Sequence, residues 1–169
     1  MESRAKAAGH AVHQQLIVFP LGLLATAVVF DVIGLVADDG RFASASYLMI
    51  AAGVLTGVVA AVFGLIDYLA IPRRTRARRI GILHGGGNVV VLVLFTLSWL
   101  VRAGTEGNVP DVAAFILALA AMVLTIGTAW LGGELVDRLG VGVDDDAGLN
   151  ASAKLTTGIS IRRAHGAKP

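Results

Sequence analysis

Between two long apolar runs, residues 67–88 read Asp-Tyr-Leu-Ala-Ile-Pro-Arg-Arg-Thr-Arg-Ala-Arg-Arg-Ile-Gly-Ile-Leu-His-Gly-Gly-Gly-Asn. Arg73, Arg74, Arg76, Arg78 and Arg79 crowd into one short turn. A basic loop with apolar flanks resists translocation, so it marks the cytoplasmic end of a membrane hairpin. Asp67 and His84 stand on its shoulders. Ionisable groups in or beside lipid are costly, and point to a site where they occur.

The rest of the chain agrees with a membrane reading. Only 15% of its 169 residues are charged and its mean hydropathy is +0.76, whereas a soluble domain carries about 25% charge. Four apolar runs, at about 16–36, 47–70, 80–100 and 112–134, can each cross a hydrocarbon core about 30 Å thick. The expected fold is an all-α, integral membrane four-helix bundle over 16–139. A polar lead (1–15) precedes it, and a tail (140–169) without a sustained apolar face follows, expected to be mostly disordered. Twelve of the 14 Lys and Arg residues fall in the lead, the Arg loop and the tail with its approach. Both termini are therefore expected in the cytoplasm, in a bacterial inner membrane.

Smaller features fit this frame. Ala25-Thr26-Ala27 resembles a signal-peptide cleavage site, but the apolar run continues past it and is read as a span. Gly53, Gly57 and Ala61 recur at four-residue spacing, which suits close helix packing within the bundle or between copies of the chain. The run Gly85-Gly86-Gly87 clears space beside His84 for another helix or a flat ligand. Trp99 and Arg102 are expected at an interfacial helix end. No internal repeat is evident. Cysteine is absent, which excludes disulfides and thiolate metal sites. The glycine run lacks the Lys-Ser/Thr of a phosphate loop. The Arg run lacks interleaved aromatic residues, so nucleic acid is not an expected partner. No serine has a nucleophile-elbow context. The chain reads as a subunit rather than an enzyme on its own.

Depth along the helices brings polar groups into one layer near the cytoplasmic face: His10 and His13 before the first span, Asp67, His84 with Asn88 one turn deeper, and Glu134. Asp31 belongs to the outer half. Three readings compete. Histidines from facing helices can ligate haem b or another metal, with His13 and His84 as ligands, His10 as substitute, and Asp67, Asn88 and Glu134 around them. A mixed set of His13, Asp67, His84 and Glu134 can instead hold a cation or relay protons. Or the layer ties helix ends together in a structural or assembly subunit of a membrane complex.

Several strings carry a resemblance: Gly9-His10-Ala11-Val12-His13, Phe19-Pro20-Leu21-Gly22-Leu23, Phe30-Asp31-Val32-Ile33-Gly34, Gly64-Leu65-Ile66-Asp67-Tyr68, Leu83-His84 with Asn88, and Trp130-Leu131-Gly132-Gly133-Glu134-Leu135-Val136. Together they resemble a bacterial family of small predicted membrane proteins, domain of unknown function 2231, over about Gly9 to Val143. The resemblance implies a four-helix membrane domain. It also implies a redox setting, since some members look fused to Rieske-type iron–sulfur domains. Val18 stands where that family often carries a histidine before Phe-Pro.

Overall fold

The apolar runs become helices whose starts are set by polar caps. The computed structural model describes residues 1–152 and 159–161. Strands β1 (Ala5–Ala7) and β2 (His10–Ala11) lead into a single turn, α1 (Val12–Leu16), which passes at Ile17 into α2 (Val18–Ala37). Three long helices follow: α3 (Gly40–Ala70), α4 (Arg76–Arg102) and α5 (Val112–Gly133). A π-helical turn, Glu134–Arg138, extends α5, and β3 (Ile159–Ile161) comes last.

Four helical stretches, of 26, 31, 27 and 33 residues, are long and apolar enough to span a membrane. α3 begins at Gly40 rather than near Tyr47 because Asp39 caps it, Oδ1 accepting the Arg41 N–H at 3.0 Å. The preceding turn needs only Asp38, which takes a left-handed conformation with φ 52°. Thr75 and Asp111 cap α4 and α5 in the same way, accepting from Arg78 N–H (3.1 Å) and Ala114 N–H (2.7 Å).

α2 packs along α3 and α4 along α5, while α3 lies against α4 and joins the two pairs. Leu24, Ala27, Val28, Ile50, Val91, Phe95, Ala118 and Ala121 form the core. Outward, Leu48, Leu55, Val123 and Ile126 stay more than 60% exposed, a surface that suits lipid rather than water. The small-residue stripe on α3 is used inside the chain. A Cβ on Gly53 would lie 2.7 Å from Leu24 of α2, and one on Gly57 would lie 2.7 Å from Leu92 of α4.

The glycine run on α4 divides. Gly85 and Gly86 face open space, but a Cβ on Gly87 would lie 2.5 Å from Thr128 Cγ2 on α5. Gly87→Ala should therefore force α4 from α5 and cost about 1–3 kcal/mol, as overpacking does. Gly85→Ala should be neutral or stabilising, since alanine favours helix. Thermal unfolding in detergent of the two variants checks the contrast.

Lead and tail lie at one end of the bundle and engage each other. Met1 N donates to Gly140 O at 2.8 Å, and Gly142 N donates back to Met1 O at 2.9 Å. β1 is the centre of a three-stranded antiparallel sheet, pairing Lys6 with Ala11 of β2 and Ala7 with Ile159 of β3. Lys6 donates to Glu2 and to Asp144. Burial works to lower the Lys6 pKa, but the hydrogen bonds to Asp144 and Glu2 outweigh it and leave the pKa raised. The ammonium latch is thus complete below the usual lysine range and is lost as pH rises through the raised value. Of the tail, expected to be mostly disordered, Gly140, Gly142, Asp144 and β3 contact the lead. Residues 153–158 and 162–169, including Arg162 and Arg163, lie outside the described residues.

Candidate metal centre

His13 and His84 come from opposite halves of the chain and meet. Their ring centres lie 6.4 Å apart with planes at 89°. His13 Nδ1 is 2.9 Å from the Ala60 carbonyl oxygen of α3, and His84 Nδ1 is 2.8 Å from the Thr128 carbonyl oxygen of α5. A carbonyl only accepts, so each Nδ1 carries the proton. In the neutral imidazole, Nε2 is then the nitrogen with a lone pair, which is how protein scaffolds prepare histidine as a ligand.

The two histidines are held alike. Four residues beyond each accepting carbonyl stands a glycine, Gly64 after Ala60 and Gly132 after Thr128. A Cβ on Gly64 would sit 2.9 Å from the His13 ring, and one on Gly132 would sit 3.0 Å from the His84 ring. Each imidazole thus lies against bare backbone, and a side chain there would push it off its carbonyl. Eighteen positions beyond each histidine comes a charge, Asp31 after His13 and Arg102 after His84. The halves repeat one plan although their residues differ.

Those charges meet as well. At about 1.5 Å per helical residue, eighteen positions carry them roughly 27 Å away, toward the opposite helix ends. Arg102 and Asp31 are 0% and 1% exposed, and the guanidinium meets the carboxylate through Nη1 (2.7 Å) and Nη2 (2.6 Å). Nη1 also donates to Ser46 Oγ at 3.1 Å and Nε to Ser98 Oγ at 3.3 Å, while Ser98 Oγ donates to Ala114 O at 2.7 Å. One node thereby links α2, α3, α4 and α5. Arg102 was expected at the interface, yet it turns back into the bundle because the buried Asp31 requires a partner. Trp99 stacks on Tyr47 at 5.2 Å. The signal available in the sequence was a charge at matching offsets from two histidines.

The other sequence candidates take separate partners. Asp67 accepts from Ser3 Oγ (2.9 and 2.8 Å) and from Arg4 N–H (2.7 Å), so it anchors the lead. Glu134 accepts from Arg76 at 2.6 Å and fastens the Arg loop to the end of α5. Arg78 donates to Tyr68 O at 2.6 Å and lies over the Tyr68 ring, closing the α3–α4 turn. His10 is exposed in β2, where it pairs with Ala7 of β1 and its backbone oxygen accepts from Gln15 at 3.2 Å. Asn88 does reach the pair, with Nδ2 3.3 Å from His84 Nε2. Thr128, Ala60, Gly64 and Gly132 complete the setting.

A family model described as "Predicted membrane protein (DUF2231)" matches residues 9–145. The chain belongs to this family. No curated protein and no solved structure matched it. The DUF2231 region takes in both histidines, their carbonyl and glycine supports, and the Asp31–Arg102 node, while Met1 to Ala8 and most of the tail lie beyond it.

A metal shared by His13 and His84 would take both Nε2 atoms, and with bonds of about 2.0 Å to each the two rings would stand at a separation similar to the 6.4 Å between their centres. Both Nδ1 atoms are already committed to carbonyls. Haem b held by two histidines uses such a donor pair.

Proposed function

We propose that this chain is a multi-pass protein of a bacterial inner membrane, with both termini cytoplasmic, whose His13–His84 pair holds haem b. It would serve as a redox-associated membrane subunit. The observation that carries this reading is the pair itself: two half-buried imidazoles from separate halves, 6.4 Å apart, each anchored through Nδ1 to a backbone carbonyl. Haem would supply a one-electron iron couple. The chain's own part is to fix the two imidazoles in a ligating tautomer and keep their planes crossed. A lipid-facing exterior keeps bulk water from the helices' flanks. Asp67 and Glu134, being committed to Ser3, Arg4 and Arg76, act in assembling the end of the bundle rather than on the metal.

The test is an optical spectrum of detergent-purified protein, oxidised and dithionite-reduced, with elemental analysis alongside. A Soret band that shifts on reduction, with stoichiometric iron, supports the reading. A colourless protein without stoichiometric metal, after expression with haem supplied, rules it out.

Orientation has its own test, helped by a chain without cysteine. In intact cells, a membrane-impermeant maleimide should label Glu106→Cys, in the turn between α4 and α5, and spare Arg74→Cys. Labelling of Arg74→Cys alone would invert the topology.

A further inference from the structure

Asn88 occupies the nitrogen that a metal requires. Its Nδ2 lies 3.0 Å from His84 O and 3.3 Å from His84 Nε2. The carbonyl can only accept, so the amide nitrogen is the atom that faces both. The bond to His84 O sets the amide this way round, and Thr128 Oγ1, 3.0 Å from both Asn88 Oδ1 and Thr125 O, shares its one proton between those two acceptors. Nε2 is therefore an acceptor here, the same tautomer that the Thr128 carbonyl fixes from the other side through Nδ1 at 2.8 Å. Thr128 thus touches both sides of His84, its carbonyl at Nδ1 and its hydroxyl at the amide that faces Nε2. His13 is different. Its Nδ1 is anchored on Ala60 O at 2.9 Å, but among the described residues no hydrogen bond reaches its Nε2.

We propose that Asn88, held by Thr128, is a built-in competitor for His84: a positioning residue that caps Nε2 in the metal-free protein and releases it on ligation. The inference rests on the reading that the histidine pair holds a metal. It makes the two ligands unequal, with His13 open from the start and His84 available only after Asn88 withdraws. The sequence alone placed Asn88 as a support for the ligand, whereas the geometry sets it against ligation.

The consequence is an affinity that improves when a polar group is removed. Each ligation event gives up one neutral hydrogen bond, so abolishing that bond should tighten binding roughly threefold to tenfold. The experiment titrates ferric haem b into the full chain, purified without cofactor in detergent, and follows the Soret band. Asn88→Leu and Thr128→Val are compared with wild type. Thr128→Val keeps the backbone carbonyl that anchors Nδ1, so it carries the test alone if Asn88→Leu does not fold. A second readout, the side-chain nitrogen resonances of His84 in the cofactor-free protein, needs no haem. The expected result is tighter binding in both variants, larger in Asn88→Leu, no further gain in the double variant over Asn88→Leu, and an Nε2 resonance displaced in each. Unchanged or weaker binding in the variants, with wild type still binding, would overturn the competitor role alone. Failure of wild type and variants alike to bind haem would overturn the metal reading and this inference with it.

Discussion

Replacing Arg102 with methionine, or Asp31 with leucine, should each destabilise the protein by about 3–5 kcal/mol, because each leaves one charge buried without its partner. The pair has no route to water: Arg102 is 0% exposed and Asp31 1%. The Arg102 guanidinium donates to Asp31, Ser46 and Ser98, on three different helices. Losing the guanidinium therefore also strips hydrogen bonds from both serines. The double variant Asp31→Leu with Arg102→Met should recover most of the loss, since an apolar pair of similar volume leaves no charge to desolvate. Chemical unfolding in detergent micelles, read as midpoint and slope for the two single variants and the double, measures the coupling. Additive losses would show that the two residues do not act as a pair.

His84→Ala and His13→Ala should each abolish the iron-linked absorption. Ligation by the pair needs both imidazoles, and the other histidine among the described residues, His10, is exposed on β2. Gly132→Val should act on the same site without touching a ligand. Its side chain would begin 3.0 Å from the His84 ring, moving the imidazole from the Thr128 carbonyl. Folding should survive better in the histidine variants than in the ion-pair variants, because each histidine is only half-buried. Purified protein of each kind, compared by haem content and by thermal unfolding, separates loss of cofactor from loss of fold. A wild-type spectrum retained in His84→Ala would contradict the account.

The four spans were legible in the sequence because a run of about 20 apolar residues has few alternatives to crossing a bilayer. Their ends were less so. The second apolar run was placed at about 47–70, yet Asp39 caps the helix at Gly40 and Ser46 finds a buried partner in Arg102. The lead strands are two and three residues long, too short to show any alternation. Residue depth brought His13, His84 and Asn88 to one level, and these do meet. Depth could not show that Asp67 and Glu134, at nearly the same level, take other partners, because neighbours around a bundle depend on helix rotation. The repeat escaped notice for a chemical reason. Asp31 and Arg102 hold equivalent places by being opposite, and the supports at Ala60 and Thr128 act through backbone oxygen, which no side chain advertises.

The measurement that bears most directly on the histidine pair is low-temperature electron paramagnetic resonance of the ferric protein, isolated with haem or reconstituted with haem b. The imidazole planes stand at 89°. Imidazoles that held a ferric haem iron with their planes so crossed would leave its orbitals nearly degenerate, so the account predicts a low-spin signal of strong, near-axial anisotropy that disappears in both histidine variants. A high-spin signal, or a low-spin signal unaltered in His13→Ala and His84→Ala, would place the haem elsewhere and remove the pair from the role given to it.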